Sequence, residues 1–421
     1  MTGMAGMAVA SLLQTALLAR ELGASGLGII ASVIAVSTIT SALVSFRTTE
    51  AVTRWLSEPM IKRSPRALSG LMSSALLAEV IPRAIASIAL LASAPALALA
   101  FAESSANSTL FMLHGVTILL IVPQTVWMSL MREERRFALI AGLEAGTAFI
   151  RLGALALAAV SGHLTLLLAV VIVVIAALGK ALYQTLQIRY SLRRRRCARL
   201  SLKAAWFGRR KLSEFWKLMR SGYLASTFIA PFKYGDVLLL GAFTSTTDVG
   251  LYKAAKTIVT LLQTACNTLA TVMFQDMNDA LRAGRTDHLR LILVRITKMW
   301  APILILLVVV SIPVAPISAD FIFGRDFVSG VPIFYVLLMG AIPGLLTFWS
   351  IQLAIATDAY VKALPLFYWT QLFNYILAIW LTWSHGAMGM AAAIGLHWTL
   401  SFTVFLPYSL PRIRKSQSLA V

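Results

Sequence analysis

The sequence predicts an all-α integral membrane protein, because its composition and the pattern of its apolar runs suit lipid as the solvent. Hydrophobic residues make up 59% of the 421 residues and charged residues only 13%. Soluble domains average roughly 45–50% apolar and about 25% charged residues, which they need to cover their surface. The apolar residues also gather in runs of about 20, the length that spans a hydrocarbon core, and most Lys and Arg residues fall between them.

The apolar runs predict about twelve transmembrane helices. The first has no preceding Lys/Arg segment of the kind that begins a signal peptide, so we interpret it as a retained span. The third is too long for a straight span and contains Pro82 and Pro95, which predicts a kink or a cytoplasmic extension. The predicted spans cover residues 3–20, 27–46, 70–101, 109–131, 138–160, 164–188, 218–242, 248–273, 291–317, 328–351, 361–383 and 387–410.

Basic residues are concentrated in one alternating set of the loops between these spans. The other set holds only Arg20 and Arg325. Cytoplasmic loops carry the excess of Lys and Arg, so both termini are predicted to be cytoplasmic. The formal net charge of +20 is therefore interpreted as a topology signal and as contact with anionic lipid. Nucleic-acid binding is not favoured, because the cations lie between apolar runs rather than among aromatic residues in a soluble domain.

The longest break between apolar runs is the basic segment 189–217. It is predicted to be a cytoplasmic linker between a six-helix bundle at 1–188 and another at 218–421. Trp206 and Trp216 among its cations predict a segment lying on the membrane surface. The chain after the first span, Leu22–Gly28, echoes the chain after the seventh, Leu240–Tyr252. Both predict tight outward turns with a glycine opening the next helix, and repeated halves are common in transporters.

The sequence lacks the motifs of enzymatic chemistry. Gly179-Lys180 has no upstream P-loop glycine, and there is no H-E-x-x-H or G-x-S-x-G motif. The histidines are scattered, and Cys197 and Cys266 have no metal-site or disulfide spacing. No catalytic residue, metal or cofactor is predicted. The outward loops are too short to house a catalytic domain, so we expect that the protein is not an enzyme.

Ionisable residues inside the predicted spans are the candidate functional residues, because each costs about 2.5–3.5 kcal/mol in hydrocarbon on insertion scales. Spacings of three, four or seven residues place Lys233 with Asp236, Glu79 with Arg83, and Glu144 with Arg151 on shared helix faces. The candidate substrate-binding cations are Arg83, Arg151, Lys180, Lys233, Lys253 and Lys256, and the supporting carboxylates are Glu79, Glu144 and Asp236.

Several of these residues also have purely structural interpretations. Lys253 lies near a span end, where its side chain can snorkel to the interface. Glu79 and Arg83 can lie at the cytoplasmic interface, and Asp236 can simply neutralise Lys233. Arg151, near the middle of its span, is the hardest to explain in this way. The set is net basic, which favours an anionic substrate, and phosphate is the first candidate because Arg and Lys both bind it through charge-assisted hydrogen bonds.

A series of short motifs is spread over nearly the whole chain in a fixed order. They are Leu18–Gly23 with Gly26–Gly28, Phe46–Arg54, Asp236–Gly241, Val249–Ala255, Phe323–Phe327 and Gly386–Ala391. With this series the sequence resembles the O-antigen type of oligosaccharide and polysaccharide flippase in bacterial envelope synthesis. These flippases belong to the superfamily that includes the multidrug and toxin extrusion transporters and the lipid II flippase.

The resemblance implies two six-helix bundles around a central cavity that opens alternately to each side of the bacterial cytoplasmic (inner) membrane. The implied cargo is a polyprenyl-diphosphate-linked oligosaccharide, flipped to the outer leaflet for O-antigen, lipopolysaccharide or exopolysaccharide synthesis. The expected partners are this cargo, membrane lipids, a polysaccharide polymerase and a chain-length regulator. One alternative is a multidrug or cation antiporter of the same fold, which would favour an acidic cavity. Another is a polysaccharide polymerase or membrane glycosyltransferase, which would need larger loops.

Overall fold

The computed structural model describes residues 2–46, 48–56, 64–195, 234–357 and 359–415, together with Met219, Tyr223, Ala230 and Pro231. Within these residues all regular structure is helical, which confirms the predicted fold class. The short 3₁₀ segments are Ser105–Asn107 and Arg325–Gly330. The α-helices are α1 Thr2–Leu43, α2 Thr48–Leu56, α3 Pro65–Ala102, α4 Ser108–Leu120, α5 Val122–Glu133, α6 Phe137–Val160, α7 Leu166–Arg194, α8 Asp236–Phe243, α9 Thr246–Arg282, α10 Thr286–Phe323, α11 Val331–Leu346, α12 Ser350–Ala356, α13 Tyr360–Thr403 and α14 Leu406–Lys415.

Nine segments of the described chain are long and apolar enough to cross a membrane. Two of them contain a glycine in a left-handed conformation, Gly23 at φ 70° in α1 and Gly386 at φ 56° in α13. These glycines lie between neighbouring predicted spans, so each long segment divides into two, as predicted. The predicted span 218–242 lies mostly outside the described residues, and the total of twelve therefore stays a prediction.

Large apolar side chains cover the outer faces of several helices. On α6, Leu157 and Val160 are 74% and 91% exposed, and on α10 Ile317 and Phe321 are also exposed. Soluble monomeric proteins rarely expose contiguous apolar surface of this extent. A lipid bilayer solvates such a surface, so these exposed side chains confirm that the chain is a multi-pass integral membrane protein.

Three local features differ from the sequence prediction or refine it. Residues after Phe46 were expected to form a loop, but Thr48–Leu56 forms α2, because Ala51, Val52 and Leu56 share one face and pack into a core with Trp127. The predicted span 109–131 is interrupted at Ile121, just before the proline that opens α5. Helix α3 runs unbroken through both of its prolines for 38 residues. That is about 57 Å, so α3 extends well beyond a core of about 30 Å.

The described chain forms two compact units. Unit 1 comprises Met1–Gly28 with Leu239–Val421, and unit 2 comprises Ile29–Leu238. Apolar clusters join α2, α3, α5 and α7 in unit 2, and α12, α13 and α14 in unit 1. The predicted division into bundles at 1–188 and 218–421 stays a prediction, since most of the linker 189–217 lies outside the described residues.

The internal echo in the sequence corresponds to a close helix crossing within unit 1. A Cβ atom built on Gly28 would lie 1.8 Å from the carbonyl oxygen of Thr246. A Cβ atom on Gly250 would lie 1.8 Å from the carbonyl oxygen of Ala24. The hydroxyls of Ser25 and Thr246, 2.8 Å apart, add a hydrogen bond across the contact. The two backbones therefore touch reciprocally, as small residues allow in membrane helices.

We expect that Gly28→Ala and Gly250→Ala each destabilise the protein by about 2 kcal/mol, because the added methyl group forces two backbones apart. Gly153→Ala on α6 is the matched control, since a Cβ atom there meets nothing within 4 Å. The measurement is the thermal unfolding midpoint of each detergent-purified variant. Equal midpoints for all three variants would show that this crossing is not tightly packed.

Candidate functional site

Unit 2 contains a polar cavity of about 730 Å³. Serine and threonine hydroxyls from the second half of α1 and from α2, α4 and α5 form much of its wall. The charged or ring-bearing polar side chains that line it are Glu50, Arg83, His114 and Tyr234, and Gln124 adds an amide. Hydroxyl and amide groups suit hydrogen bonding to a polyhydroxylated or anionic ligand rather than to an apolar one.

Arg83 enters the cavity wall from a fully buried ion pair on α3. Its Nε atom lies 2.7 Å from Oε2 of Glu79, and the side chains are 3% and 0% exposed. Thr48 donates a hydrogen bond to the other carboxylate oxygen of Glu79, and Arg83 Nη1 donates to Ser41 Oγ at 2.7 Å. The pairing predicted from the four-residue spacing is present. The pair is buried within the protein, and its depth in the membrane stays a prediction.

His114 on α4 is a cavity residue that the sequence analysis did not single out. Its Nδ1 atom lies 2.8 Å from Ser37 Oγ and 3.3 Å from Thr117 Oγ1. Thr117 is three residues further along the same helix, so part of this cluster was visible in the sequence as a local spacing. Ser37 comes from α1, 77 residues away in the chain, and no local pattern could have identified it.

Glu144 on α6 pairs with Lys180 on α7 rather than with Arg151 on its own helix. Lys180 Nζ lies 2.7 Å from Oε1 of Glu144 and donates to Oε2 at 2.8 Å. Gln124, which lines the cavity, donates to Oε1 of Glu144 at 3.3 Å. The shared helix face of Glu144 and Arg151 therefore did not predict the partner of Glu144, because Lys180 on the neighbouring helix lies within salt-bridge range of it.

Because Glu144 pairs with Lys180, Arg151 has no carboxylate partner on its own helix. Its Nε atom is shielded from solvent and has no hydrogen-bond partner within the described residues. No carboxylate of the described chain lies in salt-bridge range of Arg151. A half-buried guanidinium without a counter-ion in a membrane span is costly, and an anionic ligand is one way to offset that cost.

The remaining candidates are distributed between the units. Asp236 is buried at the start of α8 in unit 2, and Lys233 lies outside the described residues. Lys253 and Lys256 belong to α9 in unit 1, and Lys256 Nζ lies 5.8 Å from the centre of the Tyr252 ring. Their predicted role in binding substrate stays a prediction, as does that of Arg83, Arg151 and Lys180.

Comparison with known sequences decides the family. The family described as "Polysaccharide biosynthesis protein" matches residues 1–274, more than half of the chain. The chain belongs to this family. Among curated proteins, none matches the chain by sequence.

Solved structures similar to this polysaccharide biosynthesis protein are transporters and a flippase. The lipid II flippase MurJ in an inward closed conformation has a TM-score of 0.71 at 14% identity, covering 98% of this chain and 88% of MurJ. An inward-facing multidrug resistance transporter of the MATE family, in the MOP superfamily, has a TM-score of 0.68 at 14% identity, covering 99% and 96%. A MOP superfamily transporter from Pyrococcus furiosus has 0.62 at 14%, covering 99% and 94%. These likenesses establish the fold.

We expect that Glu79→Gln or Arg83→Met alone lowers the free energy of unfolding by about 3–5 kcal/mol, because each leaves one buried charge unpaired. The double variant is expected to recover most of that loss, since both charges are then absent. The measurement is denaturation of the four proteins in mixed micelles, read as a double-mutant cycle. A double variant that loses the sum of the two single effects contradicts a neutralising pair.

Proposed function

We propose that this protein is a flippase that moves a polyprenyl-diphosphate-linked oligosaccharide across the bacterial cytoplasmic membrane by alternating access. Family membership supports a role in polysaccharide biosynthesis, and the fold supports transport. MurJ is named as a lipid II flippase, and transfer of that chemistry to this chain is part of the proposal. O-antigen, lipopolysaccharide or exopolysaccharide synthesis is the proposed use of the cargo.

The observation that carries the proposal is that the guanidinium of Arg151 has no carboxylate partner in the described residues. Arg151 lies on the same helix as Glu144, which accepts a hydrogen bond from the cavity residue Gln124. Arg83 and Lys180 each have a carboxylate partner, so they hold their positions without adding net charge. Arg151 has none in the described chain and therefore adds an uncompensated positive charge to unit 2. A diphosphate supplies the missing negative charge in a form that a guanidinium binds through two hydrogen bonds.

The rest of the cavity suits the carbohydrate part of such a cargo. Its hydroxyls, together with Gln124, offer donors and acceptors to sugar hydroxyl groups. The prenyl tail is proposed to stay in lipid, because hydroxyl, amide and charged groups line much of the cavity. Lys180, Lys233, Lys253 and Lys256 remain candidate substrate-binding cations, with Glu79, Glu144 and Asp236 as supporting carboxylates.

The proposed setting follows from the same chemistry. Both termini are proposed to lie in the cytoplasm, and the chain is not proposed to be an enzyme. Energy for transport would come from an ion gradient, the membrane potential or the cargo's own gradient. A polysaccharide polymerase and a chain-length regulator are the proposed protein partners, since a flipped oligosaccharide must be polymerised outside.

Antiport of multidrug or other organic cations is less well supported by the charges of unit 2. Glu79 and Glu144 are both paired with basic side chains. Glu50 is the carboxylate among the described lining residues of the cavity. The transport test below therefore includes a cationic dye as a competing substrate.

We expect that Arg151→Gln and Lys256→Gln abolish translocation of a polyprenyl-diphosphate-linked oligosaccharide in proteoliposomes without loss of folded protein. The reason is that each change removes positive charge from a span while keeping a side chain of similar length. Translocation is measured as the fraction of glycan that an enzyme added outside the vesicles can reach. Size-exclusion chromatography reports folding.

The matched control is Arg285→Gln, which removes an exposed arginine from the turn between α9 and α10. It is expected to translocate like the wild type. Wild-type transport by both Arg151→Gln and Lys256→Gln would refute the cation assignment. Transport of the cationic dye without transport of the glycan would refute the flippase function and support the antiporter function.

A further inference from the structure

A second polar pocket lies where α5 and α7 end in unit 2, away from the cavity described above. Its volume is about 240 Å³. Both helices emerge here from the predicted hydrocarbon region on the side that the basic loops assign to the cytoplasm. Polar and charged side chains that line the pocket include Glu134, Arg136, Gln187, Tyr190, Ser191 and Arg194.

Glu134 fixes the geometry of this pocket. It accepts a hydrogen bond from Ser191 Oγ at 2.7 Å and from Arg195 Nη2 at 3.1 Å. Arg136 Nε lies 3.3 Å from the other carboxylate oxygen of Glu134. Partial burial opposes ionisation, but the hydrogen bonds from Ser191 and Arg195 outweigh it and hold the pKa of Glu134 below its usual value. Glu134 therefore remains a carboxylate at neutral pH and keeps these arginines in place.

Two arginines of the pocket keep most of their donors free. Arg136 contacts Glu134 through Nε, and its side chain is exposed, so its terminal nitrogens can bind another anion. Arg194 lies over the Tyr190 ring with 5.9 Å from its guanidinium carbon to the ring centre. Within the described chain Arg194 has no carboxylate partner. Stacking on an aromatic ring orients a guanidinium while leaving its five N–H groups available.

A row of apolar side chains leads from the membrane to this pocket. Leu178, Leu182 and Leu186 on α7 are all exposed, and so is Tyr190. With Arg194 they follow one another at intervals of four residues, which places them in a continuous row along the helix surface. Tyr190 stands at the junction of the apolar row and the polar pocket, the position that tyrosine favours at a membrane interface.

We propose that this pocket binds the phosphodiester of an anionic phospholipid through Arg136 and Arg194, with an acyl chain lying along the leucine row. The guanidiniums supply charge-assisted hydrogen bonds to the phosphate oxygens. A free phosphate would bind to the arginines only. A phospholipid would also contact the exposed leucine row on α7, which leads to the arginines. A choline headgroup would bring a cation toward two arginines, so phosphatidylglycerol is the preferred lipid class.

The experiment measures lipid retained by the detergent-purified full chain, by native mass spectrometry after titration with phosphatidylglycerol or phosphatidylcholine. Each of Arg136→Gln and Arg194→Gln is expected to weaken phosphatidylglycerol binding about fivefold, and the double variant about 25-fold. Arg194→Lys is expected to lie between the wild type and Arg194→Gln, because it keeps charge but loses the planar stacking group.

The control is Arg193→Gln, which removes an exposed arginine next to Arg194 that does not line the pocket. It is expected to bind phosphatidylglycerol like the wild type. An equal loss in this control would mean that only general charge attracts lipid and would overturn the site. Equal binding of phosphatidylcholine, or displacement of phosphatidylglycerol by millimolar inorganic phosphate, would also overturn it.

Discussion

Neutralisation of charge within spanning helices is the constraint on which the polar architecture of unit 2 depends. Glu79 and Arg83 are both buried and satisfy each other, while Thr48 and Ser41 complete their hydrogen bonds. These contacts tie α3 to the chain around the end of α1 and the start of α2. In hydrocarbon such pairing of charges and hydrogen-bonding groups is strongly favoured, because water is not available to replace a missing partner.

The same constraint makes Arg151 informative. Glu144 is already paired with Lys180, and Arg151 is left without a carboxylate partner in the described residues. The energetic cost of an unpaired cation near the middle of a span favours a functional interpretation over a structural one. The backbones also pack closely at Gly28 and Gly250. In a membrane the hydrophobic effect does not drive helices together, so close packing at small residues stabilises their association instead.

Much of this was predictable where the signal is local in the chain. The four-residue spacing predicted the Glu79–Arg83 pair, and the breaks at Gly23 and Gly386 separated the predicted spans. The Glu144–Lys180 pair was missed because its members are 36 residues apart on different helices. Ser37 was missed as the partner of His114 for the same reason. Only three-dimensional packing chooses between several partners that are equally suitable in charge or hydrogen bonding.

Arg151, the unpaired cation of unit 2, is proposed to select a diphosphate. The most direct test compares the affinities of purified wild-type protein and Arg151→Gln for polyprenyl diphosphate and polyprenyl monophosphate. Wild-type protein is predicted to prefer the diphosphate by about tenfold, the effect of one charge-assisted contact, and Arg151→Gln is predicted to lose that preference. An Arg151→Gln variant that keeps the full preference, or a wild-type protein that has none, would show that Arg151 does not select the diphosphate.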